Sequence, residues 1–178
     1  MRRRMALIVA LATVVLAQAV PGALAGVTTG VTGGDESVGS GGNRRLTLWA
    51  TARSTARFHS VKVAERHGYE EFLECFDSPK GGMGQHYVNM DLLGDGDLDV
   101  RRPEAMVYEV KDNGRLKLVA VEWILPGDGT EDPPTLLRRH LHYNSDLGVW
   151  VLHAWIWKYN PSGMFADYNP RVGACPAA

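Results

Sequence analysis

The chain is poor in the features that would place it at sight. It has 2 cysteines in 178 residues, which excludes a disulfide-dense miniprotein. It has no excess of charge of either sign, with 19 Lys and Arg against 20 Asp and Glu. Such a balance leaves no electrostatic footprint for nucleic acid, and the doublets Arg101-Arg102 and Arg138-Arg139 stand isolated. No Gly-x-Ser-x-Gly elbow, phosphate loop or dinucleotide fingerprint occurs. Hydrolysis by an activated serine is therefore not expected. After Val20 no apolar run is long enough to span a bilayer, which takes about 20 residues. What remains is 45% hydrophobic and 22% charged, enough for one ordinary globular domain with something attached to it.

The attachment is at the N-terminus. Arg2, Arg3 and Arg4 precede the uncharged apolar stretch Met5 to Val20, Pro21-Gly22 breaks it, and Ala23-Leu24-Ala25 has the small-x-small form of a signal peptidase site. Residues 1–25 are expected to be a secretory signal peptide, cleaved before Gly26. The stretch is short for a spanning anchor, and no cysteine follows it to take a lipid. The mature chain is then expected to be secreted or extracytoplasmic, with no membrane span. Losing three arginines and no acid takes Lys and Arg from 19 to 16 against 20 acidic residues, a net charge of −4. Residues 26–43 are rich in Gly, Thr and Ser and nearly free of large apolar side chains. They cannot bury enough surface to offset their ordering entropy and are expected to form a flexible linker. The folded unit is expected over residues 44–178.

In an exported chain an even pair of cysteines is expected to be bridged. Cys75 and Cys175 lack the C-x-x-C spacing of a redox pair. A Cys75–Cys175 disulfide is expected, joining the end of the first helical region to the C-terminal tail.

Arg45 to His67 carries Trp49, Ala52, Ala56, Ser60, Val63 and His67 at alternating spacings of three and four, the stripe of a helix that ends at Gly68. After the Gly-rich turn Gly81 to Gly84, strands are expected over Gln85 to Asn89, Ala105 to Val110, Leu116 to Leu125, Leu136 to Tyr143 and Gly148 to Tyr159. Lys111-Asp112-Asn113-Gly114 supplies a hairpin turn, and Asn160-Pro161-Ser162-Gly163 a second turn. Leu116 to Leu125 and Val149 to Trp157 are apolar on both faces, as in strands covered on both sides. The expected fold is α+β, an N-terminal helix packed on a curved antiparallel sheet of four to five strands, with one disulfide.

Several stretches are specific enough to carry a resemblance. They are Gly82-Met83-Gly84-Gln85-His86-Tyr87-Val88-Asn89, Arg102-Pro103-Glu104, Tyr108-Glu109 and Leu118-Val119-Ala120-Val121-Glu122. The run Leu152-His153-Ala154-Trp155-Ile156-Trp157 follows, then Asn160-Pro161-Ser162-Gly163-Met164-Phe165-Ala166, and Asn169-Pro170-Arg171-Val172 before Cys175. Over most of the folded unit the chain resembles a group of small exported bacterial proteins of actinobacterial type. The resemblance names a family and supplies no activity.

Two residues stand where the expected strands should be greasy. Glu122 lies within Val119 to Leu125, and His153 within Val151 to Trp155. A buried carboxylate must be paired, protonated or metal-bound. Alternation puts Val151, His153, Trp155 and Trp157 on one face and Ala120, Glu122 and Ile124 on one face of the next strand. Glu109 shares a face with Ala105 and Val107, and His86 lies mid-strand after the Gly-rich turn. If the faces meet, His86, Glu109, Glu122 and His153 converge on a polar cavity walled by Trp155 and other aromatics. The leading expectation is a binding domain that holds a small-molecule ligand there, without catalysis. The first alternative is a metal-binding protein or metalloenzyme with His86, Glu122 and His153 as ligands of Zn, Cu or Fe, and Glu109 as a fourth ligand or base. The second is a structural envelope protein whose polar core only specifies the fold. His140-x-His142 is expected to be an exposed sheet face, and Asp91, Asp95, Asp97 and Asp99 a solvated turn without the EF-hand spacing.

Overall fold

The structure, a computed structural model, describes residues 40–175. The expected signal peptide and most of the expected linker lie outside the described residues. Helix α1 (Ser40–Thr55) begins before Arg45 and takes in the last four linker residues. Gly41 and Gly42 disfavour a helix, but propensity is a weak prior and α1 runs through them.

The single helix expected to His67 is three pieces: α1, a 3-10 turn (Ala56–His59) and α2 (Val61–Glu65). The break has a cause. Tyr108 OH donates to the Phe58 carbonyl at 2.7 Å, taking an acceptor that a continuous helix needs, and Ser60 is extended at φ −93°, ψ 109°. Phe58 and Ala64 are buried in the core. Gly68 ends the helical region at φ +83°, as the sequence implies.

Six strands form one antiparallel sheet: β1 (Tyr69–Ser78), β2 (Gly81–Asn89), β3 (Ala105–Val110), β4 (Leu116–Pro126), β7 (His142–Asn144) and β8 (Val149–Ala154). Their order is β1-β2-β3-β4-β8-β7, and the sheet is curled. A short helix α3 (Met90–Asp95) leaves β2, its first turn capped by Asn89 Oδ1 accepting from Asp91 N and Leu92 N. A separate two-stranded ribbon pairs β5 (Thr135–Leu136) with β6 (Arg139–His140).

The α+β class, the curved antiparallel sheet and the Cys75–Cys175 disulfide match the expectation. The strand count does not: the sheet has six strands. Strand β1, at the sheet edge, falls where the first helical region was expected to end, so Cys75 belongs to a strand. Its Glu70, Glu71 and Glu74 are poor strand formers and the edge is mostly exposed, so no alternation marks it. Gly81 to Gly84 belongs to β2 rather than to a turn. Gly84, at φ +101°, leaves no room for a side chain, since a Cβ would lie 2.6 Å from the Tyr108 carbonyl oxygen. The strand expected over Leu136 to Tyr143 is broken by Leu137 and Arg138, both at positive φ, which make the tight turn of the ribbon. Strand β8 stops at Ala154 because Trp155 N turns to the Met164 carbonyl and Trp157 N to that of Val119.

The sheet buries both faces. Tyr87, Met106, Tyr108, Val121, Trp123, Leu152 and Ala154 face one core with Phe58 and Ala64. Val107, Ala120, Trp155 and Val172 fill a smaller cluster on the other face. The candidate site lies beside that cluster.

Candidate metal centre in the sheet cleft

Register decides which polar groups meet. In β4 and β8 Glu122 stands directly opposite His153, and in β2 and β3 His86 stands opposite Val107. Directly opposed residues share a face, so His86, Val107, Ala105, Glu122 and His153 all point to the same side. The two intervening β3 residues are small, and His86 reaches across them to the pair on β4 and β8. Its Nε2 lies 3.3 Å from His153 Nε2 and 3.4 Å from Glu122 Oε2. His153 Nδ1 lies 3.2 Å from Glu122 Oε1. The three residues are 7%, 6% and 2% exposed for His86, Glu122 and His153.

Burial raises the Glu122 carboxyl, but the charge interaction with His153 and the close contact of His86 outweigh it, holding the group below the usual carboxylate range. Burial pushes the His153 imidazole below its ordinary value against the pull of Glu122. Two buried ring nitrogens, His86 Nδ1 and His153 Nδ1, have no aligned hydrogen-bond partner among the described residues. One nitrogen or oxygen from each residue lies within 4.8 Å of the others, so the group can hold a metal ion.

The triad forms the floor of a cleft of about 530 Å³. One wall comes from β1 with Phe72, Leu73 and Phe76, and the other from β7, β8 and their turn with His142, Leu147, Val149 and Val151. Strands β1 and β7 are opposite edges of the sheet. Curling therefore brings the two edges together above the triad. At the rim His142 Nε2 lies 3.4 Å from Asp167 Oδ1.

Two expected members are elsewhere. Glu109 is on the same side of β3, but four residues beyond Ala105, the residue opposite Glu122. That separation is roughly 13 Å of strand. Its carboxylate accepts from Lys158 Nζ at 2.7 Å, meets Lys111 Nζ at 2.7 Å, and accepts from Gly173 N at 3.3 Å. Burial raises its pKa, and the two ammonium groups more than reverse that. Glu109 is spoken for by lysines and does not line the cleft. Trp155 lies behind His153, their rings stacked at 6.1 Å, with its indole N–H donated to the Ala166 carbonyl. It supports the imidazole from the packed side and is not part of the cleft lining.

His140 and His142 do not form a pair. His140 is in β6 beside Thr135, His142 is in β7, and Leu141 between them is buried. The rim pair His142 and Asp167 is 25 residues apart in sequence and gave no signal there. Glu104 is a further buried carboxyl that alternation did not single out. Burial pushes its pKa up to about 8, and its Oε2 accepts from Ile124 N where the β3–β4 ladder ends beside Pro103.

No protein-family model, curated protein or solved structure matches this chain.

Proposed function

We propose that this chain is a metal-binding protein that holds one divalent transition ion, zinc foremost, through His86 Nε2, His153 Nε2 and Glu122, with the fourth position turned to the cleft. The spacing of the buried donors carries the reading. A tetrahedral ion with bonds of about 2.0–2.1 Å holds its ligand atoms about 3.3–3.4 Å apart. The two imidazole nitrogens lie at 3.3 Å and the His86 nitrogen and Glu122 oxygen at 3.4 Å, and one donor atom from each of the three residues lies within 4.8 Å of the others. Two imidazoles and a carboxylate with an open position also suit iron, and imidazoles suit copper, so both belong in the test.

In this reading the ion and the cleft together hold a small ligand, and the chain works outside the cytoplasm with the exported group it resembles. The Cys75–Cys175 disulfide is consistent with an oxidising compartment. No helix among the described residues is long and apolar enough to cross a membrane.

Metal content of untagged protein from its native host is the deciding measurement. One Zn²⁺, Fe²⁺ or copper ion per chain is expected, with affinity falling at least about 100-fold in His86→Ala and Glu122→Ala, a loss beyond that of removing an outer partner. A folded wild-type chain that takes up none of these ions at stoichiometry overturns the reading. His86, Glu122 and His153 are then a buried network that specifies the fold.

A further inference from the structure

We infer that the cleft takes a molecule with an apolar body and a single anionic, metal-coordinating head, a medium-chain monocarboxylate being its simplest form. This rests on the metal reading above and adds the chemistry of the bound molecule.

Apolar side chains are exposed here with unusual concentration. Among the described residues the large hydrophobics left exposed are Trp49, Phe72, Leu73, Phe76, Met90, Leu147, Tyr159 and Met164. Four of them, Phe72, Leu73, Phe76 and Leu147, line this one cleft. They come from both edges of the sheet and face each other across the triad. Exposed apolar surface gathered in a concavity marks a binding site.

The β1 wall is also built to present them. Between Phe72, opposite His86, and Phe76, opposite Gly84, three β1 residues bulge out against Gln85 alone. Leu73 takes φ 58°, and Gln85 Nε2 donates to its carbonyl at 2.7 Å. In a regular strand Phe72 and Leu73 would point to opposite faces. The bulge turns both, with Phe76, toward the cleft. Cys75 lies in that bulge and ties it to Cys175, whose backbone N–H donates to Asp77 Oδ2 at 2.8 Å. A buried amide and a disulfide hold one greasy wall in place against an unfavourable backbone angle.

Charge selects the head. A divalent ion bound by two neutral imidazoles and one carboxylate keeps a net charge of +1. In a site walled by apolar groups that charge is costly until an anion meets it. A single carboxylate neutralises the ion and fills the open position. Asp146 and Asp167 also line the cleft, Asp167 beside His142. The volume of about 530 Å³ is in the range of sites for small organic molecules.

The test is calorimetric titration of the whole chain, loaded with Zn²⁺ to measured stoichiometry, with decanoate below its micellar range. One decanoate per chain is expected, at least tenfold tighter than acetate or decan-1-ol, and at least tenfold weaker after zinc is removed by chelation. Leu73→Ser with Leu147→Ser, at exposed positions on the two walls, is expected to keep full zinc content and lose decanoate affinity at least tenfold. Zinc-loaded protein that ignores decanoate, or binds acetate or decanol equally well, overturns this inference and leaves the metal reading standing. Folded protein that takes up none of zinc, iron and copper overturns both, and the metal analysis shows which has happened.

Discussion

Glu104 is the clearest case of a side chain whose environment has a measurable cost. Its carboxyl is buried beside Ile124 N with its pKa raised to about 8, against about 4.5 for an ordinary glutamate. Between those values the native chain binds one more proton than the unfolded chain, so stability falls as pH rises through that window. The slope is on the order of 1 kcal/mol per pH unit. Glu104→Gln keeps an oxygen for Ile124 N and removes the charge. Its urea midpoint should change little between pH 5 and pH 8, while that of wild type falls. His153→Phe addresses the triad in the same way. Wild-type protein should gain about 2.7 kcal/mol at zinc concentrations of 100 times the dissociation constant, and His153→Phe should gain nothing, as read by melting in zinc against chelator. At this scale the sequence was informative for two residues. Glu122 and His153 are conspicuous because each interrupts an apolar run, and strand alternation aims them correctly. Glu109 shows the limit of the method. Alternation gives its face but not its place along the strand, and four residues of strand separate it from the site.

Among the elements, β3, β4 and the Lys111 to Gly114 turn were legible because local chemistry states them: two apolar runs and a turn whose glycine sits at φ +74°. Strand β1 was not. Its polar, exposed residues follow no period, and it is a strand because β2 offers it an edge. Its bulge yields two predictions. Gln85→Ala leaves the Leu73 carbonyl without its donor and should cost about 1–3 kcal/mol in chemical denaturation. Leu73→Gly relieves a side chain held at φ 58° and should raise stability by about 1 kcal/mol, while taking an apolar group from the cleft wall. A Leu73→Gly variant less stable than wild type would show that its packing outweighs the backbone strain.

For the whole molecule, the Cys75–Cys175 bridge ties the edge strand to the C-terminal segment across a separation of 100 residues. In the chain-entropy account a loop of that length contributes about 4–5 kcal/mol. Cys75→Ser with Cys175→Ser should lower stability by that order, measured as the difference in unfolding free energy extrapolated to water with each protein's own denaturant slope. Pairing was readable from count and expected compartment, since two cysteines in a chain expected to be exported have one partner each. Fold class was readable too, because alternating and doubly apolar runs follow from local chemistry. The site was not, because a binding cleft is a property of register and curvature. Glu122 meets His153 through the β4–β8 ladder, His86 reaches them over two small residues, and the walls come from strands at opposite ends of the sheet. Those distances depend on how the ladders align and how far the sheet bends, and long-range packing sets both.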